Sequence, residues 1–246
     1  MISSIHGLPG VGKNVYATYL AIKHYKKTNS LIARGIRRIH HEPVYINNVY
    51  SSYPILLDKK RKVYSRQVKP DDLRNQYSFL PNALIIIDEI QSFYDSDEYK
   101  KFPKEIAVFN QFHRHFGIQD IYYISQHPSR VVKKLRNVTC QFRKIRFFFK
   151  FPFLPWGLMY YTNYYEFEDY GKWHHPSREM KNYDCDNHFV IFNVKKVFKS
   201  YNSIYLHSLN DDKPLINTPK YKSTDLTESE INSIFGGYIW ASRDKQ

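Results

Sequence analysis

Short apolar runs alternate with helical patterns along most of the chain. Met1–His6 predicts a strand, and residues 7–14 form a glycine-rich turn directly behind it. Val15–Lys27 repeats apolar side chains every three or four residues, which predicts an amphipathic helix. Ala83–Ile87 is an uninterrupted apolar run, which is typical of a strand buried on both faces of a parallel sheet.

The remaining elements continue this alternation and end in a group of strands. The sequence predicts helices over Pro103–Phe116 and Pro128–Asn137, and strands over Pro43–Asn48, Asp120–Ser125, residues 139–151, residues 158–168 and His188–Tyr201. Residues 49–82 give no clear pattern. Strand–helix alternation followed by late strands predicts an α/β fold with a mostly parallel central sheet, flanking helices and antiparallel strands at one edge.

Length and composition indicate a globular chain with a core of its own. The chain has 246 residues, of which 42% are apolar, and this excludes a disordered chain. We expect one domain over residues 1–203 and a C-terminal extension over residues 204–246, in which Thr227 and Glu230 form a capping box before a short helix. The longest uncharged stretch, Phe151–Tyr165, is shorter than the roughly 20 residues that a membrane helix needs.

The charge balance predicts a polyanionic partner. The net charge is +14, well above what solubility requires. Aromatic residues near the basic clusters suit single-stranded nucleic acid, whose bases stack on rings, although a basic cluster alone is usually a solvated face. The clusters and rings are Arg34–Arg38, Lys59–Lys62, Lys133–Arg136 and Arg143–Arg146, with Tyr50, Tyr53, Tyr64, Phe142 and Phe147.

The glycine-rich turn predicts a nucleotide site. It follows a strand and opens a helix, so backbone amides and the helix N-terminus converge on phosphate groups, and Lys13 reaches the β- and γ-phosphates of a nucleotide. Asn14 stands where a Ser or Thr hydroxyl usually binds Mg²⁺, and its amide oxygen is the substitute ligand. The alternative is a turn that only links strand to helix. The predicted nucleotide-binding residues are Gly7, Leu8, Pro9, Gly10, Val11, Gly12, Lys13, Asn14 and Val15.

Two carboxylates at the end of an apolar strand are the expected companion of this loop. Asp88 is predicted to hold Mg²⁺, and Glu89 to polarise the attacking water. A solvated acidic turn is the alternative. Gln126 follows the next strand and is predicted to sense the γ-phosphate, while Arg114 is a candidate arginine finger for a neighbouring subunit. The alternative for Arg114 is a surface cation at a helix C-terminus.

Together these motifs resemble the zonular occludens toxin family, which includes the filamentous-phage gene I assembly proteins. They are similar more distantly to the FtsK–HerA class of P-loop ATPases, which pump DNA. The resemblance covers about residues 1–203 and is carried by Gly7–Asn14, Asp88–Gln91, residues 114–129 and Val197–Ser203.

The resemblance implies an ATP- and Mg²⁺-dependent motor that assembles, packages or extrudes viral single-stranded DNA. It implies a ring-shaped homo-oligomer, viral coat or assembly proteins as partners, and a place in the host cytoplasm or at the cytoplasmic face of the inner membrane. Family members usually carry a membrane span after this domain, so we expect contact with the membrane through partners or a surface. The aromatic segment Phe147–Tyr161 is a candidate for such a surface contact. A non-catalytic assembly scaffold and a replication ATPase or helicase are the alternative functions.

Overall fold

The computed structural model describes residues 1–74, 79–94, 102–165, 167 and 185–201. Its strands are β1 (Ile2–His6), β2 (Val49–Ser51), β3 (Leu56–Asp58), β4 (Val63–Tyr64), β5 (Arg66–Gln67), β6 (Ala83–Ile87), β7 (Ile118–Ser125), β8 (Gln141–Lys150), β9 (Trp156–Tyr164) and β10 (Cys185–Asn193). Its α-helices are α1 (Lys13–Thr28), α2 (Leu31–Ile39), α3 (Lys104–Phe112), α4 (Lys133–Arg136) and α5 (Val194–Phe198). Short 3₁₀ turns lie at Pro70–Arg74, Ile90–Ser92 and Pro128–Arg130.

The main sheet is parallel through its middle and antiparallel at one edge. Its eight strands run in the order β10-β9-β8-β1-β7-β6-β2-β5. All pairs from β8 to β5 are parallel, whereas β9 is antiparallel to β8, and β10 to β9. A separate hairpin joins β3 and β4. The predicted fold class is therefore confirmed.

Helices cover both faces of the parallel block because its central strands are apolar on both sides. In β6 every residue is buried, and its side chains alternate between two cores. Leu84 and Ile86 pack in the core that contains α1, and Ile85 and Ile87 pack in the core that contains α3 and α4. This two-sided burial explains the uninterrupted apolar run in the sequence.

The predicted strand at Pro43–Asn48 is wrong, because side-chain hydrogen bonds replace a strand partner there. Asn29, just after α1, donates to the carbonyl of Ile46 at 2.8 Å and accepts from its amide at 2.9 Å. The strand begins one residue later, with β2. The predicted helix Pro103–Phe116 is also shorter, because the chain turns after α3 and the amide of Ile118 donates to His113 O at 3.0 Å.

The predicted helix Pro128–Asn137 splits into a 3₁₀ turn and α4, because the buried Val132 donates its amide to Tyr94 O at 3.1 Å. The segment His188–Tyr201 contains a strand as predicted, which is the second half of β10. The side chain of Asn193 then caps α5 through the amide of Lys196 at 2.9 Å. The predicted C-terminal helix and the extension over residues 204–246 lie outside the described residues.

The β8–β9 hairpin is half core and half surface. Phe148, Met159 and Tyr161 pack towards α1, whereas Phe147 and Trp156 are exposed on the other side. Both predicted strands are confirmed, and the aromatic segment is neither wholly buried nor wholly exposed. Among the described helices, none combines the length and the apolar character needed to cross a bilayer.

Candidate functional site

The predicted chemical residues follow three neighbouring strands at one edge of the sheet. β7 lies between β1 and β6, and all three are parallel. The glycine loop follows β1, Gln126 follows β7, and Asp88 and Glu89 follow β6. The carboxyl ends of adjacent parallel strands are the usual place for a ligand in an open α/β sheet.

The glycine loop has a shape that side chains would disturb. Gly10 and Gly12 have left-handed backbones, with φ of 81° and 92°. A Cβ on Gly12 would lie 3.2 Å from both Met159 Cε and Phe148 Cβ, so the hairpin packs tightly against the loop. The first amides of α1 have no partner inside the helix. They give the loop a positive field suited to phosphate.

Lys13 lies folded over the loop that precedes it. Its Nζ donates to Gly7 O at 2.8 Å and to Leu8 O at 3.1 Å, and its side chain is buried. Burial lowers the pKa of Lys13, and the charges of Glu89 and Asp88 act in the opposite direction. The ammonium is therefore close to both acids and is held by carbonyls, which a phosphate group can replace.

A hydrogen bond between the side chains of Asn14 and Asp88 joins the two motifs. Asn14 Nδ2 donates to Asp88 Oδ2 at 2.6 Å, and the amide of Glu89 donates to Asp88 Oδ1 at 2.9 Å. The amide of Asp88 donates to Ser52 Oγ at 2.8 Å. Burial raises the pKa of Asp88 to about 6, more than the hydrogen bond from Asn14 lowers it. A buried carboxyl group with a raised pKa marks a candidate functional site.

Glu89 has a strained backbone and a fixed side chain. Its φ of 48° is left-handed, which is uncommon for a residue other than glycine. Gln91, in the following 3₁₀ turn, donates its amide to the Glu89 carboxylate. Strain of this kind costs of order 1–3 kcal/mol and concentrates at functional sites.

Three residues that the sequence did not predict for this site complete the surroundings of the acids. Ser52 holds the Asp88 backbone, and Tyr53 donates to Asn14 O at 3.4 Å. Tyr201 stacks edge-on against Tyr53, and burial, with a smaller effect from Asp88, raises the pKa of Tyr201 to about 12. Ser52 and Tyr53 lie in the stretch without a clear pattern, so no local signal marked them.

Gln126 and Arg114 lie at opposite edges of the sheet. Gln126 follows the carboxyl end of β7, between the glycine loop and the acids, and is exposed. Arg114 precedes the amino end of the same strand and is also exposed. The structure thus brings Lys13, Asn14 and Asp88 together with Gln126 nearby, and separates Arg114 from them.

The aromatic rings near the basic clusters are largely not available for stacking on bases. Tyr50, Tyr53 and Phe142 are core residues, whereas Phe147 is exposed. Arg143 is likewise buried, with its guanidinium on Tyr16 and Gln141. The sequence argument that these rings serve nucleic acid is therefore wrong for the three buried ones, because they fill the core instead.

The residues present fit a nucleotide with Mg²⁺. The described residues contain no group of three or more His, Cys, Asp or Glu side chains that would cage a metal alone. Mg²⁺ commonly takes one or two carboxylates and completes its shell with phosphate oxygens and water. Asp88 would supply the carboxylate, and the Asn14 amide, which is hydrogen-bonded to Asp88, would supply a second oxygen.

Comparison with known proteins agrees with this geometry. The sequence profile described as Zonular occludens toxin (Zot) matches residues 1–147. The N-terminal domain of zonular occludens toxin from Neisseria meningitidis is similar in structure, with a TM-score of 0.51 and 16% identity, covering 82% of this chain and 98% of that chain. No curated protein sequence gives a significant match.

Two further solved structures are less similar. The genome packaging NTPase B204 from Sulfolobus turreted icosahedral virus 2, in complex with ATP-gammaS, has a TM-score of 0.36 and 16% identity, over 64% of this chain and 90% of that chain. KaiC-like protein PH0186 from Pyrococcus horikoshii OT3 has a TM-score of 0.34 and 12% identity, over 78% and 88%.

The family assignment rests on the profile and on the shared architecture. The profile covers 147 of the 246 residues and includes the glycine loop, Asp88 and Gln126. The structure gives these residues the strand–loop–helix and parallel-sheet setting of a P-loop NTPase fold. The chain belongs to the zonular occludens toxin (Zot) family.

Proposed function

We propose that this chain is a Mg²⁺-dependent ATPase that powers the assembly, packaging or extrusion of viral DNA. One observation carries the proposal. Lys13 of the glycine loop and Asp88 of the neighbouring motif meet at the carboxyl edge of a parallel sheet, and Asn14 joins them through a 2.6 Å bond to Asp88. This arrangement suits a triphosphate with its metal, because a cationic group for phosphate and anionic groups for Mg²⁺ lie close together.

Each residue has a distinct part in the proposed hydrolysis. Lys13 leaves the loop carbonyls and donates to the β- and γ-phosphates. Asp88 and Asn14 would hold Mg²⁺, which when bound neutralises charge that develops on the phosphate oxygens. Glu89 accepts a proton from the attacking water. As the water oxygen bonds to the γ-phosphorus, the bond between the γ-phosphorus and the oxygen that bridges to the β-phosphate breaks. Gln126 orients the water and contacts the γ-phosphate.

Arg114 is assigned to a neighbouring copy of the chain. It lies at the amino edge of the sheet, so it does not face the nucleotide of its own subunit. In a ring of like subunits, an exposed arginine of one copy can reach the phosphates held by the next. We therefore include a homo-oligomeric ring in the proposal, with Arg114 stabilising transition-state charge.

The partners and the location follow from charge and from the family resemblance. A net charge of +14 favours a polyanion, and the resemblance to phage assembly proteins favours single-stranded viral DNA with coat or assembly proteins. The proposed place of action is the host cytoplasm, at the cytoplasmic face of the inner membrane. A replication ATPase or helicase would share the nucleotide site and differ in having strand-separation activity.

One observation favours a second candidate, a non-catalytic scaffold that binds nucleotide without turnover. Asn14 takes the position of a metal-binding hydroxyl, and its nitrogen already occupies one Asp88 oxygen. If that bond persists with nucleotide bound, Asp88 offers less to a metal. The scaffold would then bind ATP and DNA and release no phosphate.

Steady-state phosphate release separates the two candidates. The full chain is measured with Mg-ATP, with and without single-stranded DNA, beside the variants Glu89→Gln and Glu105→Gln. Glu105 is an exposed acid in the first turn of α3 and serves as the matched control. We expect turnover by the wild type and by Glu105→Gln, and a loss of about 10²–10⁴-fold in Glu89→Gln. ATP binding by Glu89→Gln is expected to stay unchanged.

The opposite results assign the other function. ATP binding without phosphate release by the wild type supports the scaffold and rejects the motor. Undiminished turnover in Glu89→Gln removes Glu89 as the base.

A further inference from the structure

Helix α2 exposes its aliphatic side chains and buries a charged one, which is the reverse of an ordinary surface helix. Leu31, Ile32 and Ile39 are 80%, 78% and 76% exposed, and Ile36 is 52% exposed. Arg37, by contrast, is the buried residue of this helix, at 7% exposure. Contiguous exposed apolar residues on a helix usually mark a surface that another phase or partner covers.

The apolar residues form one continuous face that points away from the protein. At 100° per residue, the four side chains span an arc of about 140°. Gly35 lies within this arc, and a Cβ added there would meet nothing within 4 Å. Arg37 lies on the opposite side, where its guanidinium donates to Thr28 O. Nothing in the described part of the chain covers the apolar face.

A basic turn lies beside this helix, joined to it by one tyrosine. The Arg61 guanidinium carbon lies 3.7 Å from the centre of the Tyr45 ring, and that of Arg34 lies 5.1 Å from it. Both guanidinium groups also donate to the Tyr45 hydroxyl. The structure thus places the exposed basic turn between β3 and β4 beside α2, on the side of Arg34, although the two are far apart in sequence. The turn consists of Lys59, Lys60, Arg61 and Lys62.

The positive surface continues from the turn into a groove. The groove has a volume of about 720 Å³, and Asp58, which pairs with Arg61 at 3.0 Å, is its one acidic residue among the lining positions. Because lysines dominate its walls, the groove favours a ligand with several negative charges. The lysines that line it are Lys26, Lys59, Lys60, Lys195, Lys196 and Lys199.

We propose that α2 and the basic turn together bind the surface of an anionic lipid bilayer. The helix lies in the plane of the interface with its aliphatic side chains among the upper acyl chains, while the turn and the lysine groove contact lipid phosphates. A nucleic acid would satisfy the lysines and leave Leu31, Ile32 and Ile39 in water, whereas an anionic bilayer satisfies both. The apolar face of α2 is separate from the nucleotide site, so the inference does not depend on the proposed ATPase function.

The position of α2 keeps its apolar face away from the nucleotide. α1 begins at Lys13 and, with 16 residues, is about 24 Å long. Its last part lies at the amino edge of the sheet, where His24 contacts Asn82 O at 3.0 Å just before β6. α2 follows that end, so a bilayer bound there leaves the carboxyl edge open to nucleotide.

Vesicle co-sedimentation of the full chain tests the proposal. The vesicles are phosphatidylcholine alone, or phosphatidylcholine with phosphatidylglycerol at about 7:3. We expect at least about tenfold stronger binding to the anionic vesicles. The variant Ile32→Ser/Ile36→Ser is expected to weaken that binding at least about tenfold. The matched control Phe153→Ser/Leu154→Ser, two exposed apolar residues at the β8–β9 tip, is expected to bind like the wild type.

A second pair of variants separates the basic turn from charge in general. Lys59→Glu/Lys60→Glu is expected to lose at least about tenfold in binding to anionic vesicles. Lys133→Glu/Lys134→Glu, an equal charge change on α4, is expected to lose much less. A Leu31→Trp reporter is expected to shift its emission to shorter wavelength with anionic vesicles, because the ring leaves water.

Several results would overturn the proposal. Wild-type protein that does not sediment with anionic vesicles rejects it, as does Ile32→Ser/Ile36→Ser that binds them normally. If the Phe153→Ser/Leu154→Ser control loses binding instead, the hairpin tip is the membrane surface. If the α2 variants bind vesicles normally but lose binding to a single-stranded oligonucleotide, the face belongs to nucleic acid. Circular dichroism confirms that each variant is folded.

Discussion

The carboxyl edge of the sheet and helix α2 depart from ordinary folding preferences in opposite directions. At the edge, a lysine is buried next to two acids, and Asp88 has a pKa raised to about 6. In α2, aliphatic side chains are exposed and Arg37 is buried. Both arrangements cost folding free energy. Because such costs concentrate at functional sites, we place the two functions of this protein at these two regions. The carboxyl edge of the sheet suits a small charged ligand, whereas the exposed face of α2 suits an extended surface such as a bilayer.

The largest expected effect concerns the buried acid. In the folded protein the pKa of Asp88 is about 6, above its ordinary value of 3.8, so the folded state binds more protons between these values. The free energy of unfolding therefore falls as the pH rises from 4 to 7, by up to about 3 kcal/mol from this group. Denaturant unfolding of the wild type and Asp88→Asn across this range measures it.

The difference between the two proteins isolates Asp88 from other titrating groups. Wild-type stability relative to Asp88→Asn is expected to decline as the pH rises, since only the wild type pays to ionise this site. Glu105→Gln, which removes an exposed acid of α3, is the control for the loss of a carboxyl group elsewhere on the surface. A difference between wild type and Asp88→Asn that stays constant with pH would mean that the acid is not perturbed.

The next effect compares two glycines of the same loop. Gly12→Ala meets both a left-handed backbone and neighbours at 3.2 Å, so we expect it to lower the free energy of unfolding by about 2 kcal/mol. Gly10→Ala meets the same backbone cost with open space around it, and about 1 kcal/mol is expected. Chemical denaturation gives both values. Equal losses would show that the β8–β9 hairpin does not constrain the loop.

A smaller effect tests the inverted orientation of α2. Arg37→Ala removes a buried side chain and its bond to Thr28 O, so a loss of about 1–2 kcal/mol is expected. Arg38→Ala, one residue further and exposed, is expected to change stability by less than about 0.5 kcal/mol. Thermal and denaturant unfolding of both variants check this, and a reversed order would place α2 the other way round.

The smallest effect concerns the metal position. Asn14→Ser restores a hydroxyl beside Asp88 and removes the amide that bonds it, so Mg²⁺ dependence of nucleotide binding is expected to strengthen by about threefold. Titration of nucleotide at several Mg²⁺ concentrations measures the change. Weaker Mg²⁺ dependence in Asn14→Ser would show that the amide is the better ligand.

The site was predictable where its signals are local. The glycine loop between a strand and a helix has a local signal, and so does the apolar run before Asp88. The parallel strands of the sheet then bring these two motifs together. Ser52 and Tyr53 were not predictable, because β2 has only three residues and depends on pairing with β6. Arg114 precedes β7, so its place at the amino edge follows from the order of the elements, whereas no local signal shows whether it serves a neighbouring subunit.

Two of the wrong predictions share a physical cause, which is competition from distant partners. Asn29 satisfies the backbone of Ile46 where a strand was predicted, and Tyr94 accepts the amide of Val132 within the predicted helix Pro128–Asn137. Arg34–Arg38 was predicted only as a basic cluster, because a count of charges does not show which side of a helix packs inward. The exposed aliphatic face of α2 could be recognised only from the structure.

Equilibrium binding of nucleotide to Lys13→Ala tests the central claim most directly. Calorimetry measures binding of a non-hydrolysable ATP analogue with Mg²⁺ to the wild type, to Lys13→Ala and to Lys23→Ala, an exposed lysine of the same helix. We expect Lys13→Ala to bind at least about a hundredfold more weakly, since it loses a charge-assisted contact to phosphate. Lys23→Ala is expected to bind normally. Equal affinity of all three proteins would contradict a nucleotide site at the carboxyl edge.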